Sequence, residues 1–250
     1  MLWRNVMAKN IISMKWGARY GADYANRLYA SVRRNITGDL RFICFTDDAE
    51  GLIPEIEAHP LPPIKIPERV QWKPWRKISL WQAPLGPLNN EDVLFLDLDV
   101  VITGPLDDFF NYRPGETCII ENWTQMGEGI GNTTCYRFHV GEHTTIFENF
   151  ENNADDVLSQ FRASQQYVSA MLPGKIYWPA DWCVSFKHSL LPKFPMNWLK
   201  TPELPKETKL VAFTGHPDPD EARDGVWPAP LHKRIYKHVR PTPWIAEHWR

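Results

Sequence analysis

The chain has 250 residues, of which 43% are hydrophobic and 23% charged, and its formal net charge is −2. This length and composition are typical of a globular protein with a core of its own, and the charge excludes a general nucleic-acid-binding protein, which carries a strong basic excess. The four cysteines are far apart and form no CxxC pair, which excludes a zinc-finger motif and a compact disulfide framework.

Strand and helix patterns alternate in the first part of the chain. Strands are predicted at 10–17, at 41–45 and at 55–61. Residues 23–35 place Tyr24, Leu28 and Val32 at i, i+4 and i+8, which is the spacing of an amphipathic helix. Strand, helix and strand in this order favour a parallel sheet.

The pattern changes after a short helix at 75–83 and a strand that begins at Val93. Beyond about residue 110 it becomes irregular, with strands predicted at 117–122 and 133–138 and a helix predicted at 144–164. We therefore expect an α/β protein with one domain over 1–250, which has a regular half at 1–105 and a loop-rich half at 106–250.

The stretch VLFLDLDVV places Asp97 and Asp99 inside an otherwise apolar segment. An ionised carboxylate withdrawn from water is costly unless something pairs with it. On a continuous strand both side chains would share one face with Val93, Phe95 and Val101. Ligands of parallel α/β sheets collect at the carboxyl ends of the strands. The pair therefore predicts a site for Mg²⁺ or Mn²⁺; the alternative is a strand end whose acids only reach solvent.

A second enzyme class shares this pattern. In haloacid-dehalogenase-type phosphatases an apolar strand also runs into DxDx(T/V), where the first aspartate attacks phosphorus and the second acts as acid or base. DLDVV satisfies that pattern with Asp97 and Asp99. However, such enzymes carry the loop near the N-terminus and add a second acidic pair downstream. Here the clearest other pair, Asp47 and Asp48, lies upstream, so this alternative is less favoured.

Six segments of the chain, taken in order, resemble a known family. They are RYGADYANRLYASVRRN, FICFTDD, WRKISLW, LFLDLDVVITGPLDDFF, GNTTCYRF and WPADWCVSFK. In this order, centred on the DxD, the chain is similar to bacterial GT-A-fold glycosyltransferases that use nucleotide-sugars, and to glycosyltransferase family 8 and its relatives. The resemblance implies a GT-A-type mixed sheet flanked by helices, with a nucleotide-binding half (1–105) and a sugar and acceptor half (106–250). It also implies a role in the synthesis of cell-surface glycans.

The resemblance also implies roles for individual residues. The implied nucleotide contacts are Tyr20, Thr46, Asp47, Asp48, Arg76, Lys77 and Asp97. Tyr20 would stack on the base, whereas Lys77 would contact phosphate or orient the aspartates. Asp97 and Asp99 would hold the cation, Asn132 and Gln165 would contact the donor sugar, and Gln166 would lie at the catalytic centre.

Two positions depart from the family 8 pattern. The metal-binding His three residues before Gly215 is replaced by Ala212, so His216 is the substitute ligand that the sequence offers. The acidic residue of an acid–Gln pair is also missing, because Gln165 and Gln166 stand there. An inverting reaction would need a carboxylate as general base, for which Asp181 is the first candidate and Glu121 the second.

The tail 231–250 carries five Lys or Arg residues against one acid and has three interspersed aromatic residues. Such a tail favours peripheral contact with an anionic membrane surface; the alternative is a basic C-terminal helix packed on the domain. The segment 1–17 lacks the unbroken apolar core of a signal peptide. We therefore expect a cytoplasmic protein, with the tail as its contact to the inner face of the membrane.

The sequence thus predicts a metal-dependent glycosyltransferase. Its expected donor is a nucleotide-sugar, UDP-linked by the resemblance, and its expected acceptor is a saccharide or a lipid-linked sugar. The dehalogenase-type phosphatase and a non-catalytic nucleotide-sugar-binding protein remain the alternatives.

Overall fold

The structure is a computed structural model that describes residues 8–250; the start of the segment 1–17 lies outside the described residues. The strands are β1 (Lys9–Lys15), β2 (Leu40–Thr46), β3 (Glu57–Pro60), β4 (Asp92–Leu96), β5 (Val100–Ile102), β6 (Cys118–Glu121), β7 (Gly131–His139), β8 (Ile176–Tyr177), β9 (Cys183–Ser185) and β10 (Leu210–Ala212). The α-helices are α1 (Ala22–Arg34), α2 (Asp107–Asn111), α3 (Thr145–Gln160), α4 (Ser164–Met171), α5 (Pro219–Asp224) and α6 (Trp244–His248).

Seven of the strands form a mixed sheet in the order β3–β2–β1–β4–β7–β6–β8. Strands β3, β2, β1 and β4 run parallel, whereas β7 pairs antiparallel with both β4 and β6. The predicted α/β class and the parallel first half are therefore confirmed. The carboxyl ends of β1, β2 and β4 meet at one edge of the sheet, where ligands of such sheets bind.

The two faces of this sheet are covered by different helices. Alternate residues of a strand point to opposite faces, so Ile11 packs in the core that holds Leu28 of α1, whereas Ile12 packs in the core of Ile78 and Phe150. The amphipathic pattern of 23–35 is confirmed by α1, whose Leu28 and Val32 are fully buried.

The DxD segment is not a continuous strand. β4 ends at Leu96, the turn Asp97–Asp99 follows, and β5 joins a second sheet in the order β5–β10–β9. Val93 and Phe95 therefore pack in one core and Val101 in the other. The prediction that all three share a face with the aspartates was wrong, because the chain changes sheets between them.

The second half has more regular structure than its sequence pattern indicates. The predicted strands 117–122 and 133–138 are confirmed by β6 and β7, but the single helix predicted at 144–164 is divided. α3 contains a non-helical residue, Asn153, and ends at Gln160 before α4 begins. The tail contains a 3₁₀ helix, Leu231–Lys233, and the short α6, whose Ile245 is buried.

Within residues 8–250 no helix combines the length and apolar character needed to cross a lipid bilayer. All four cysteines are buried and unpaired, in agreement with the absence of a disulfide framework.

Candidate active site

A cleft of about 520 Å³ opens at the edge where β1 and β4 end. Its lining includes the turn Asp97–Asp99, the segment 16–20 after β1, and Phe213–Gly215 after β10. Because three strands of two different sheets end here, residues that are far apart in the chain meet around one space. The predicted DxD thus lies at the floor of the cleft.

Asp97 is neutralised by a lysine from the protein itself. Lys77 Nζ lies 3.0 Å from both carboxylate oxygens of Asp97 and 3.0 Å from the carbonyl oxygen of Thr133. An ammonium group has three N–H donors, so these contacts use all of its hydrogen-bonding capacity. Lys77 therefore fixes the position of the Asp97 carboxylate, and its functional role stays a prediction.

Local packing fixes the position of Lys77. Pro74 begins a 3₁₀ helix, Pro74–Trp81, in the manner favoured at a first helical turn. Trp75 stacks on Phe150 of α3 with ring centroids 5.6 Å apart, which buries one side of this helix. The aliphatic stem of Lys77 is buried with it, and only the ammonium reaches the cleft floor.

Asp99 has no lysine or arginine partner among the described residues and faces another acid instead. The hydroxyl oxygen of Tyr20 lies 2.9 Å from Asp99 Oδ2 and 3.0 Å from Asp218 Oδ1. A phenol has a single O–H donor, so it can donate to only one of the two carboxylates at a time. The other contact requires a proton on a carboxyl group or a cation between the two acids.

Burial and the charges of neighbouring groups change the pKa values of these acids. Burial, together with the charge of Asp97, raises the pKa of Asp99 to about 7. Burial also raises the pKa of Asp97, and Lys77 acts in the opposite direction. The pKa of Tyr20 is raised by burial and by the charges of Asp99 and Asp218, so this phenol stays protonated. The Asp99 side of the turn therefore holds a proton near neutral pH in the absence of another cation.

Asp218 lies at the N-cap of α5, close to His216, which the sequence predicts as a metal ligand. The backbone N–H of Asp218 donates to Glu221 Oε2 at 2.8 Å, as in a capping box, and Arg19 pairs with the Asp218 carboxylate at 3.1 Å. His216 is exposed, and its Nδ1 lies 2.8 Å from Glu221 and 3.7 Å from Asp218. His216, Asp218 and Glu221 could together hold an ion, but only Asp218 also reaches the Tyr20 hydroxyl that contacts Asp99.

The opposite wall presents amides and aromatic rings. Asn132 on β7 and Gln165 on α4 both line the cleft, and Asn132 Nδ2 lies 3.4 Å from Gln165 Oε1. Trp72 lies across the segment after β1 and is 64% exposed. Its ring closely approaches Gly17, which has a φ of +64° and where an added Cβ would meet the ring at 2.9 Å. Gly17 is needed here for both its backbone conformation and the space that it leaves.

Several predicted site residues lie outside the cleft lining. Thr46 bonds to Asp48 at the end of β2, and Asp47 accepts a hydrogen bond from Gly17 N. Of the basic pair, only Lys77 lines the cleft and Arg76 does not. The predicted nucleotide contacts of Thr46, Asp47, Asp48 and Arg76 receive no support from the geometry and stay predictions.

The predicted catalytic residues of the second half are also outside the cleft lining. Asp181 is exposed, Glu121 accepts from Gly127 N, and Gln166 accepts from Arg162 N on the far side of α4. The proposed base and the catalytic role of Gln166 therefore stay predictions. The predicted base-stacking Tyr20 packs on Tyr24 with ring centroids 4.6 Å apart, while its hydroxyl contacts the two acids.

Comparisons with solved structures give the fold a precedent. The galactosyltransferase LgtC, in complex with donor and acceptor sugar analogues, is 14% identical with a TM-score of 0.55, over 84% of this chain and 88% of that chain. Mouse xyloside xylosyltransferase 1 is 10% identical with a TM-score of 0.52, over 84% and 98%. GlyE of Streptococcus pneumoniae TIGR4, a glycosyltransferase, is 12% identical with a TM-score of 0.52, over 85% and 56%.

No protein-family model matches the sequence, and neither does any curated protein sequence. Membership of family 8 accordingly stays a prediction. At 10 to 14% identity these structures speak for the fold alone. By its mixed sheet, its flanking helices and these structural neighbours, the chain has the fold of the GT-A-type glycosyltransferases.

Proposed function

We propose that this chain is a metal-dependent glycosyltransferase that moves a sugar from a nucleotide-sugar, expected to be UDP-linked, to a saccharide or lipid-linked acceptor in cell-surface glycan synthesis. The observation that carries the proposal is a set of three carboxylates in a GT-A fold: Asp97 and Asp99 line the cleft, and Asp218 is linked to Asp99 through the hydroxyl of Tyr20.

The residues present fit a divalent cation. Asp99 and Asp218 surround one hydroxyl oxygen, yet a single O–H serves both, and carboxylate oxygens are the ligands that Mg²⁺ and Mn²⁺ prefer. Thr214 adds a buried hydroxyl on the cleft wall that has no hydrogen-bond partner within residues 8–250. A cation held by Asp99 and Asp218, with Asp97 beside them, would neutralise charge on a leaving diphosphate.

The remaining cleft residues would bind and orient the donor. Lys77 holds the Asp97 carboxylate in place and leaves the metal-facing turn fixed before ligand binds. Asn132 and Gln165 offer amide groups to sugar hydroxyls, and the exposed Trp72 ring offers a flat apolar face of the kind that stacks on a base or a sugar.

The geometry disfavours the phosphatase alternative. That mechanism needs the first aspartate as a free nucleophile, whereas both oxygens of Asp97 are bound by Lys77. A nucleophile held in this way must break two charge-assisted hydrogen bonds before it can attack.

The test is isothermal titration of UDP and of GDP into the full chain, with Mn²⁺ and with EDTA. We expect one nucleotide to bind only with Mn²⁺ and Asp99→Ala to abolish that binding. Asp218→Asn should weaken it at least about tenfold, because the loss of an outer partner of a metal ligand already costs that much. Asp156→Ala removes an exposed acid of α3 away from the cleft and serves as the matched control.

Binding in the control but not in Asp99→Ala would support a cation site at the DxD and identify the donor class. Nucleotide binding that needs no metal and persists in Asp99→Ala would contradict a cation site at the DxD. If no nucleotide binds and the protein hydrolyses small phosphoesters, the phosphatase alternative would be favoured instead.

A further inference from the structure

Two segments of the second half are basic and free of acids. Residues 186–202 and 225–246 contain no Asp or Glu, although the whole chain has a net charge of −2. Their basic residues are Lys187, Lys193, Lys200, Lys233, Arg234, Lys237 and Arg240. The predicted basic tail, 231–250, overlaps only the second of these segments.

The structure joins the two segments into one surface. Asn197 Nδ2 donates to the carbonyl oxygens of Tyr236 and His238, at 3.0 and 2.9 Å, and Trp198 Nε1 donates to the carbonyl oxygen of Ile235 at 2.8 Å. The rings of Trp198 and His238 stack with centroids 3.8 Å apart. Asn197 is 1% exposed, so the junction is a packed contact and the two segments present a common outer side.

The outer side of this junction exposes large apolar side chains. They are Phe194, Met196, Trp198, Leu199, Leu231, Ile235 and Tyr236. Leu231 is 78% exposed and Leu199 is 70% exposed, which is unusual for leucine in two neighbouring segments. Contiguous exposed apolar side chains of this kind mark interaction sites.

Some basic groups of the two segments lie close enough for the charge of one to act on another. The pKa of Lys187 is lowered by burial and by the charge of Lys237, which belongs to the other segment. The pKa of His238 is lowered by burial and by Arg240. Like charges held together with no acid in either segment create a local positive potential that attracts an anionic partner.

We propose that this surface, which we name the basic apolar face (193–200 and 231–240), docks the protein on an anionic phospholipid bilayer. Lys and Arg around protruding Leu, Ile, Trp and Tyr match a bilayer, where the cations meet lipid phosphates and the apolar side chains enter the boundary with the acyl chains. A nucleic acid would also attract the cations, but it offers little apolar volume for aliphatic side chains such as those of Leu199, Leu231 and Ile235.

The face differs from the predicted 231–250 contact. The end of the tail packs against the protein, since Ile245 and Trp249 are buried. The proposed face therefore omits the end of the tail and includes the exposed segment 193–200. The first basic segment begins at the cleft wall, because Phe186 stacks on Phe213 of the cleft lining with centroids 4.7 Å apart.

The test is sedimentation of the full chain with phosphatidylcholine vesicles that contain or lack phosphatidylglycerol, at low and high salt and without nucleotide. Lys193→Gln with Lys200→Gln removes two exposed charges whose side chains make no hydrogen bond within the described residues; Lys65→Gln with Lys206→Gln removes two exposed charges elsewhere. Ile235→Ser is matched by Met126→Ser, since both side chains are 64% exposed.

We expect binding to anionic vesicles only, weakened by salt. The Lys193/Lys200 double variant should weaken it roughly 25-fold, at on the order of fivefold per basic residue. Ile235→Ser should also weaken it, and both controls should leave it unchanged. The proposal would be overturned by equal binding to both vesicle types or by no vesicle binding. It would also be overturned if the Lys65/Lys206 pair had an equal effect, or if a single-stranded RNA bound tightly and Ile235→Ser did not affect that binding. Because no nucleotide is present, the result is independent of the proposed transferase activity.

Discussion

The negative charges of Asp97 and Asp99, on the two sides of one turn, are compensated in different ways. On the Asp97 side a buried lysine supplies a permanent counter-charge with all three of its donors. On the Asp99 side one tyrosine hydroxyl is shared by Asp99 and Asp218, and burial with the charge of Asp97 raises the pKa of Asp99 to about 7. A fixed internal cation maintains the Asp97 side of the turn, whereas the Asp99 side is where, under the proposed function, a cation from solution would bind.

The largest expected effect comes from removing the internal cation. Lys77→Met leaves the partly buried Asp97 carboxylate without its partner. Breaking a fully buried pair costs about 3–5 kcal/mol in the free energy of unfolding, and we expect a loss of about 3 kcal/mol here because the Asp97 side chain is 21% exposed. Urea denaturation of the metal-free protein measures this loss. The double variant Lys77→Met with Asp97→Asn should recover most of it, since the uncompensated charge is then absent.

Arg76→Met is the control for this experiment, because Arg76 is adjacent in the 3₁₀ helix but lies outside the cleft lining. We expect it to cost less than about 1 kcal/mol, as for most partly exposed positions. If Lys77→Met were equally mild, Lys77 would not fix Asp97, and the contrast between the two sides of the turn would be lost.

The parallel half of the fold was predictable because local patterns decide it. The i, i+4, i+8 spacing in α1 and the apolar runs of β1 and β2 follow from which side chains each element buries. The second sheet was not predictable in the same way. β9 and β10 have only three residues each, too few for a periodic signal, and their positions depend on pairing between distant parts of the chain, β10 with β5 and β9 with β10.

The site was predictable only where its residues are contiguous. Asp97 and Asp99 stand out as acids in an apolar run, and Lys77 followed from the resemblance to a family. Asp218 was missed as a site residue because nothing in PDPDEA distinguishes a metal-facing acid from a helix cap. Only the fold, through Tyr20, brings it to Asp99.

A second prediction concerns the pH dependence of the Asp99 side. Because folding raises the pKa of Asp99 from 3.8 to about 7, the contribution of this group to stability is complete below pH 4 and is lost as the pH rises through 7. Asp99→Asn cannot ionise, so its free energy of unfolding in EDTA should exceed that of the wild type at pH 8 by at least about 1 kcal/mol, and by less at pH 5. Thermal or urea unfolding at both pH values measures the difference. A difference that did not change with pH would show that the two sides of the turn are equally compensated.

The smallest expected effect distinguishes the shared hydroxyl from an ordinary one. Tyr20→Phe and Tyr24→Phe each remove one hydrogen bond to an acid, since Tyr24 donates to Asp220 at 2.8 Å, and each should cost about 1 kcal/mol. Besides burial and the charge of Asp97, the hydrogen bond from Tyr20 acts on Asp99 and lowers its pKa, so Tyr20→Phe should move the pH-dependent loss of stability to higher pH. Tyr24→Phe should leave that pH unchanged, because its hydroxyl does not contact the turn. Equal pH profiles for the two variants would mean that Tyr20 only packs against the acids. A shift confined to Tyr20→Phe would show that the Tyr20 hydroxyl stabilises the ionised form of Asp99.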